Sequence, residues 1–199
     1  MAFTMKLQKT YYLNDDVLFI AKNLIGKVLY TQIDGEISAG IITETEAYKG
    51  ISDKASHAYN NKRTPRTETM FAEGGVSYVY LIYGMYHLFN VVTNQKDIPD
   101  AVLIRSILPY KNEELILKRR NAKKWYKNLL NGPGKLTLGL GISKQHNNID
   151  LMSNQIWIED RQIKIDDSKI KTTPRIGIDY AEEDALLPYR FVLEDYKNL

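Results

Sequence analysis

Two acidic residues and one basic residue stand in segments that otherwise resemble buried β-strands. Glu44 and Glu46 lie two residues apart in the run I-I-T-E-T-E-A-Y, and Arg105 interrupts the apolar run A-V-L-I-R-S-I-L. A strand carboxylate such as Glu46 can act as a general base that activates water, provided that it stays ionised. If Glu44 is close to it and buried, repulsion between the two carboxylates raises one of their pKa values. Arg105 needs an anionic partner, either a carboxylate in a structural salt bridge or a phosphate, because an unpaired buried charge is costly.

Aromatic side chains surround this acidic segment. Tyr48, Tyr80 and His57 can form a slot for a flat ring, because aromatic faces stack on nucleobases at about 1–3 kcal/mol per base. Tyr83 precedes a glycine, and this predicts a turn that projects the phenol outward, where it can wedge into a stack of bases. Taken singly, a tyrosine more often packs in a core or an interface, and a lone histidine more often lies at the surface. We expect the carboxyl of Glu46 to face the aromatic slot.

The sequence gives no sign of several other kinds of catalytic site. The chain has no cysteine, which excludes disulfides, thiolate zinc sites and cysteine nucleophiles. Glu44, Glu46 and His57 offer oxygen and nitrogen donors for a metal, but without a recognised spacing. No serine elbow or dinucleotide-binding motif occurs, and the run G-P-G-K at 132–135 lacks the full pattern of a phosphate-binding loop. We therefore expect neither a metal nor a cofactor.

A predicted hairpin positions the two glutamates. Asp34 and Gly35 form a strong turn signal between a strand over residues 27–33 and a strand over residues 36–48. The period of two along the second strand places both glutamates and Tyr48 on one face. These side chains would be merely solvated on an edge strand, but they become a candidate site if that face lines a groove.

The remaining elements follow from hydrophobic periodicity and turn residues. They are a helix over residues 17–25 capped by Asn14 or Asp15, a loop over 49–75 with a short helix at 53–59, strands over 76–83, 88–93 and 101–108, helices over 112–130 and 136–140, a hairpin over 156–165, and strands over 170–178 and 189–193. Hairpins join most of the strands. The sequence therefore predicts an α+β fold, with a single domain over residues 1–199 and a mostly antiparallel, curved sheet flanked by helices.

Size and composition are ordinary for a globular protein. The chain has 199 residues, of which 44% are hydrophobic and 26% charged, and no apolar run approaches the roughly 18–20 residues that span a bilayer. Residues 1–6 lack the pattern of a secretory signal, so we expect a cytoplasmic location without membrane contact. The net charge is only +3, but lysines and arginines concentrate in residues 111–135. Such a segment would suit a phosphate backbone, although charge runs are more often solvated helix faces.

In the segments that carry Glu46, Tyr80 and Arg105, the sequence closely resembles the alkyladenine (3-methyladenine) DNA glycosylase family. This is the monofunctional kind that is unrelated to helix-hairpin-helix glycosylases. The matching segments keep the family's order and cover the chain from residue 16 to about residue 192, and the longer runs are highly specific. They are T-E-A-Y at 45–48, His57, T-P-R at 64–66, Y-V-Y-L-I-Y-G-M-Y at 78–86, Asn90, V-L-I-R at 102–105, G-P-G-K-L at 132–136 and R-I-G at 175–177.

The resemblance implies a catalytic role for three residues. Glu46 matches the family's general base, which deprotonates the attacking water. Arg105 matches the arginine that helps to hold that water and the carboxylate. Ile176 matches the residue whose backbone carbonyl completes the water site.

The resemblance also implies roles in substrate binding. Tyr48, His57 and Tyr80 match the walls and recognition groups of the base pocket, and Asn90 matches an asparagine at its floor. Tyr83 matches the side chain that intercalates where the flipped nucleotide was. The matching positions near the DNA backbone are Thr64, Arg66 and Lys135.

The function that the resemblance implies is base excision repair of alkylated DNA. The enzyme would flip an alkylated purine out of double-stranded DNA, hydrolyse its N-glycosidic bond without a metal or a covalent lysine adduct, and leave an abasic site. The expected substrates are 3-methyladenine and 7-methylguanine, with hypoxanthine and ethenoadenine as further candidates. The expected partner is duplex DNA that contains damaged bases, at the nucleoid if the source is bacterial. We expect a monomer, because a damaged duplex offers no two-fold symmetry to match.

Two functions of other classes stay open when the residues alone are considered. The first is a nucleic-acid binding module without catalysis, in which the tyrosines stack on bases and Glu46 is structural. The second is a glycoside hydrolase that uses Glu44 and Glu46, which would need the two carboxyls at least about 5 Å apart on opposite sides of a sugar bond. Neighbours on one face of a strand fit that geometry poorly.

Overall fold

The structure is a computed structural model that describes residues 5–194. Residues 1–4, which belong to the segment inspected for a secretory signal, lie outside the described residues. The same holds for residues 195–199 at the end of the expected domain. Within residues 5–194, no helix is long and apolar enough to cross a membrane.

The helices are short and the strands form most of the regular structure. The helices are α1 (Lys9–Tyr12), α2 (Val17–Asn23), α3 (Glu113–Arg119) and α4 (Pro133–Leu140). The strands are β1 (Val28–Ile33), β2 (Glu36–Tyr48), β3 (Ser77–Ile82), β4 (Tyr86–Thr93), β5 (Asp100–Lys111), β6 (Ile156–Glu159), β7 (Ile170–Thr173) and β8 (Arg190–Leu193). Further 3-10 turns lie at Tyr59–Asn61, Glu68–Phe71, Lys144–His146, Asp167–Lys169 and Asp179–Leu186.

The strands form one unclosed antiparallel sheet, and the predicted α+β class is confirmed. The order along the sheet is β3-β4-β5-β2-β1-β6, and β7 joins through β8, which pairs with β2. Each of these strand pairs is antiparallel. The helices pack against the sheet, with α2 on β2 and β5 and with α4 on β4 and β5.

Strand β2 is the centre of the sheet. It pairs with β5 along one edge, and along the other edge with β1 first and then with β8. Helix α2 covers one face, where the hydroxyl of Thr45 donates to the carbonyl of Ala21 (2.7 Å). Because both edges are paired and one face is covered, the opposite face carries Glu44 and Glu46 into a buried environment. The predicted hairpin at Asp34 and Gly35 is confirmed, and both residues have the positive φ that a tight two-residue turn requires.

The predicted helix over residues 112–130 is wrong beyond its first half. Helix α3 ends at Arg119, and Asn121 has a positive φ of 48° that no α-helix accommodates. Leu129 and Leu130 are fully buried, but they reach the core from an irregular segment rather than from a continuing helical stripe. The apolar residues at the two ends of the predicted helix therefore come from separate structures.

Three other predicted elements also differ from the structure. Helix α2 is capped by Asp16, whose side chain accepts from two backbone N–H groups, rather than by its predicted neighbours Asn14 or Asp15. Residues 53–59 turn without forming an α-helix. The predicted hairpin over residues 156–165 contains only β6, because β6 pairs with β1 instead of with the residues that follow it.

The strand predicted over residues 170–178 is shorter than expected for a physical reason. Strand β7 ends at Thr173 instead of at residue 178, because Pro174 follows and has no N–H for the sheet. The chain then leaves the sheet, and this frees Ile176 to reach the face of β2 that carries the glutamates.

Candidate active site

A β-bulge directs Arg105 toward the two glutamates. The register between β2 and β5 shifts on both sides of Glu44, which lies opposite Ser106. The residue after Glu44 lies opposite Ile104, so that Arg105 has no partner on β2 and bulges out of β5. Its carbonyl oxygen accepts a hydrogen bond from the N–H of Gly132 (3.0 Å), which ties the start of α4 to the bulge.

Glu46 is fully buried, and three donors hold its carboxyl group. The hydroxyl of Tyr48 donates to Oε2 (2.8 Å), and Nη1 of Arg105 lies 3.3 Å from the same oxygen. The backbone N–H of Ile176 donates to Oε1 (2.8 Å). Burial raises the pKa of Glu46 above its ordinary value, whereas Arg105, the Ile176 N–H and the Tyr48 hydroxyl oppose this shift. All three donors stabilise the ionised form of the carboxyl.

These three donors separate Glu46 from a large cavity. The cavity has a volume of about 780 Å³, and Tyr48, Arg105 and Ile176 all lie in its wall. Glu46 itself has 0% exposed surface. The expectation that its carboxyl faces the cavity directly is therefore wrong. The carboxyl lies behind the side chains and backbone that form the cavity wall, because the donors that stabilise its charge also cover it.

Aromatic rings form the wall next to the carboxyl group. The rings of His57 and Tyr80 meet edge to face with their centroids 4.7 Å apart, and Tyr78 lies 5.3 Å from Tyr80. Nδ1 of His57 is 2.9 Å from the hydroxyl of Tyr78. Burial, together with the nearby charges of Arg66 and Lys62, lowers the pKa of His57 to about 4. The imidazole is therefore neutral at physiological pH.

The structure brings the expected pocket residues together around one cavity. Tyr48, His57, Tyr80 and Asn90 all line it. Asn90 is buried, and its side-chain amide donates to the backbone carbonyl of Tyr78 (3.0 Å). This bond fixes the orientation of the amide within the cavity wall.

Tyr83 stands at the mouth of the same cavity, at the tip of the hairpin between β3 and β4. It is 82% exposed and has a positive φ of 53°. For a bulky residue this backbone conformation is uncommon and is kept only where the surrounding structure imposes it. The turn therefore points the phenol out of the protein, as its position before Gly84 predicts.

The three residues expected near the DNA backbone take different positions. Lys135 lies in the first turn of α4 and lines the cavity. The guanidinium of Arg66 lies over the ring of Tyr80, 5.0 Å from its centroid. Thr64 stabilises a turn through the hydroxyl of Thr67 (3.1 Å). Lys135 thus lies in the cavity wall, Arg66 packs on the ring of a wall residue, and Thr64 shapes the loop that carries Arg66.

Sequence reasoning missed a buried ion pair behind the aromatic wall. Arg175 and Asp53 form a two-bonded pair whose side chains are 0% and 1% exposed. The guanidinium also lies over the ring of Tyr48, 4.8 Å from its centroid. The pair therefore holds the backbone next to Ile176 in place and also supports one face of the ring of Tyr48. No spacing signal links two residues so far apart in the chain, although Arg175 lies in the matching run R-I-G.

The structure also bears on two alternative kinds of site. Among residues 5–194, no group of three or more histidine, aspartate or glutamate side chains could hold a metal ion, so Glu44, Glu46 and His57 form no such group. Glu44 and Glu46 both contact the guanidinium of Arg105 (2.8 and 3.3 Å). Two carboxylates bound to one side chain do not flank a sugar bond from opposite sides, as a glycoside hydrolase requires.

The family model and the individual relatives that match this chain agree with one another. Residues 11–197 match the family model described as Methylpurine-DNA glycosylase (MPG). A protein of Chlamydia felis is 49% identical over 96% of this chain and 98% of its own length. Proteins of Clostridium perfringens and Desulfitobacterium hafniense are 46% and 44% identical, over 97% and 96% of this chain and 98% and 96% of their own lengths. Each of the three is named "Putative 3-methyladenine DNA glycosylase".

The buried pair predicts a large effect on stability. Replacing Asp53 with asparagine leaves Arg175 buried without a counter-charge, and we expect a loss of about 3–5 kcal/mol in the free energy of unfolding. Urea denaturation followed by circular dichroism measures this change. Glu68→Gln is the matched control, because it breaks the exposed pair with Arg63 and should leave the midpoint nearly unchanged. Equal losses in the two variants would contradict the importance of the buried pair.

Proposed function

The chain belongs to the methylpurine-DNA glycosylase family, and we propose that it excises alkylated purines, among them 3-methyladenine and 7-methylguanine, from double-stranded DNA with a water activated by Glu46. The observation that carries this proposal is the buried carboxyl of Glu46, held by three donors directly behind an aromatic cavity. Hypoxanthine and ethenoadenine are further candidate substrates.

A base inside a duplex cannot reach this carboxyl group, so the nucleotide must leave the stack. Unstacking and unpairing cost a few kcal/mol, least for a damaged or mispaired base. Tyr83 is well placed to fill the vacated space, since it is the most exposed aromatic residue at the cavity mouth. Lys135 and Arg66 offer positive charge beside the cavity for the DNA backbone, and Thr64 supports the loop of Arg66.

The cavity walls suit an alkylated purine. Methylation at N3 or N7 gives the purine ring a positive charge, which favours stacking on tyrosine faces. Tyr48 and Tyr80 provide such faces, and the neutral imidazole of His57 does not repel the cation. Asn90 offers a fixed amide group at the same cavity, which is suited to recognition of the base edge.

The proposed reaction replaces the C1′–N bond with a C1′–O bond and transfers one proton from water to the enzyme. The C1′–N bond to the base breaks, and its electron pair goes to the departing purine, which thereby becomes neutral. A water oxygen bonds to C1′ of the oxocarbenium-like sugar, and the carboxylate of Glu46 takes the proton of that water. Arg105 holds the carboxylate and the water, and the backbone of Ile176 completes the water site. The products are the free base and an abasic site.

The chain works as a single glycosylase domain and as a monomer on damaged duplex DNA, and it needs no cofactor. The location is the cytoplasm, at the nucleoid if the source is bacterial. A binding module without catalysis is the competing function, and the variant Glu46→Gln distinguishes the two.

Replacing Glu46 with glutamine tests the general base. The glutamine has nearly the same shape but cannot accept a proton, so we expect the single-turnover rate of base release to fall by about 10²- to 10⁴-fold. Binding to the damaged duplex should persist. The measurement is release of free 7-methylguanine from an alkylated duplex, with the abasic site quantified on the same DNA.

Glu36→Gln is the matched control, because it removes an exposed carboxylate from the far end of the same strand. This variant should keep the full rate. Single-turnover release by Glu46→Gln at the rate of the unmodified enzyme would refute the assignment. Tight binding without release by the unmodified protein would favour the binding module.

The rate should depend on pH in a direction that the site fixes. Burial raises the pKa of Glu46, and a protonated carboxyl cannot act as a base, so release of 7-methylguanine should fall as the pH drops through this raised value. His57 does not interfere at pH 5 to 8, because its pKa is lowered to about 4. Tyr48→Phe removes a donor that favours the ionised form, so we expect its acid limb at higher pH. An acid limb that stays in place would contradict the contribution of Tyr48.

Replacing Tyr83 with serine tests the proposed wedge. A small side chain cannot fill the space of a flipped nucleotide, so excision from a paired lesion should fall about tenfold more than excision from a mismatched lesion, whose base is already less stably stacked. Single-turnover rates on the two duplexes measure this ratio. Tyr126→Ser is the control, since Tyr126 is exposed away from the cavity. Equal losses on the two duplexes would count against the wedge.

A further inference from the structure

Glu44 binds two arginines through a single oxygen. Its Oε1 accepts from Nε of Arg105 (2.8 Å) and from Nε of Arg190 (2.7 Å). Arg105 reaches Glu46 at the same time through Nη1 (3.3 Å). The four side chains thus form a continuous chain of contacts in the order Arg190, Glu44, Arg105 and Glu46.

The chain of contacts is buried and balanced in charge. The side chains of Glu46, Glu44, Arg105 and Arg190 are 0%, 7%, 12% and 21% exposed. Two carboxylates and two guanidinium groups give a net charge of zero. If Arg190 were absent, two buried carboxylates would share one cation, and burial of an unbalanced charge is costly. Glu44 would then compete with Glu46 for Arg105 without a second partner of its own.

The sheet brings Arg190 to this position. Strand β8 pairs with β2 at the residues that carry the site, and Arg190 lies opposite Glu46 in the register. Its Nη1 also donates to the hydroxyl of Thr173 on β7 (3.1 Å). The pair of β7 and β8 therefore brings the second cation to Glu44 from the edge of β2 opposite to β5.

We propose that Glu44 and Arg190 are positioning residues. Together they hold Arg105 against Glu46 and keep the buried group of four side chains neutral, so that Glu46 keeps the negative charge that the reaction needs. This inference rests on the proposed role of Glu46 as the general base. Neither residue lines the cavity, and both act through Arg105.

The other titratable groups around Glu46 do not mask the effect of Glu44 and Arg190 on its titration. The charged and titratable side chains that face it are Glu44 and Tyr48 on β2, Tyr80 on β3, Arg105 on β5, Arg175 and Tyr180 after β7, and Arg190 on β8. Burial raises the pKa of each of the three tyrosines, which therefore stay neutral below pH 8. Arg175 is paired with Asp53.

The test follows the titration of Glu46 itself. Protein labelled with carbon-13 at the glutamate carboxyls is titrated by NMR, and Glu46 is assigned from the resonance lost in Glu46→Gln. Arg190→Gln removes a cation and should move this titration to higher pH by about one unit, whereas Glu44→Gln removes an anion and should move it to lower pH by a similar amount. Charge coupling requires these opposite directions, whereas loss of packing in either variant would not produce them.

Three further variants complete the design. Arg190→Lys keeps the charge and should return the titration close to its original pH. The double variant of Glu44→Gln with Arg190→Gln is again balanced and should also return it. Lys171→Gln removes an exposed cation from the neighbouring strand β7 and should shift nothing. If Arg190→Gln alone does not fold, the effect of removing Arg190 is measured between Glu44→Gln and the double variant, and this step should move the titration back to higher pH.

The same proteins are assayed for single-turnover release of 7-methylguanine. Arg190→Gln should lose rate most strongly at the acid end of the pH range, with an unchanged dissociation constant for the damaged duplex. Shifts in one common direction, or no shift, would overturn the positioning roles. If the titrations shift as expected and the unmodified protein releases no base, the proposed function fails while the charge coupling stands.

Discussion

A carboxylate without exposed surface has to be held by hydrogen-bond donors, and the structure around Glu46 is organised by this requirement. Water would stabilise an exposed glutamate, but here a phenol, a guanidinium and a backbone N–H replace it. They come from β2, from the bulge in β5 and from the segment after β7, so the site exists only when distant parts of the chain are in register. The donors that favour the ionised form of the carboxyl also cover it. The same three donors thus offset the cost of burying the charge and separate Glu46 from the cavity.

The same requirement explains features that lie further from the carboxyl group. Strand β7 ends at Thr173 because Pro174 follows it, and the chain then leaves the sheet and brings the N–H of Ile176 to Glu46. The buried pair of Arg175 and Asp53 anchors this segment and packs against the ring of Tyr48. In the reaction that we propose, the substrate nucleotide enters the cavity on the other side of these donors. Catalysis by Glu46 then requires a water to take a place between them, and Ile176, which is half exposed at the cavity wall, is the donor at the edge of the site.

The sequence predicted the parts of the molecule that depend on local signals. Alternation along β2 correctly placed Glu44, Glu46 and Tyr48 on one face, and the Asp-Gly turn correctly joined β1 to β2. An arginine in an apolar strand correctly indicated an anionic partner, and of the two expected kinds, a carboxylate or a phosphate, the structure has carboxylates. The failures have tertiary causes. The helix over 112–130 stops early because its second apolar group packs from an irregular segment, and the bulge at Arg105 and its link to Arg190 depend on strand register, which no local pattern records.

The most direct test of the account is a crystal structure of the protein bound to duplex DNA that contains a 7-methylguanine nucleotide whose N-glycosidic bond resists hydrolysis. The account predicts that the base lies between the aromatic walls of the cavity and that an ordered water bridges the carboxyl of Glu46 and C1′ of the sugar. A complex in which Tyr48, Arg105 and Ile176 still cover Glu46 completely, with no water in contact with its carboxyl, would contradict the account.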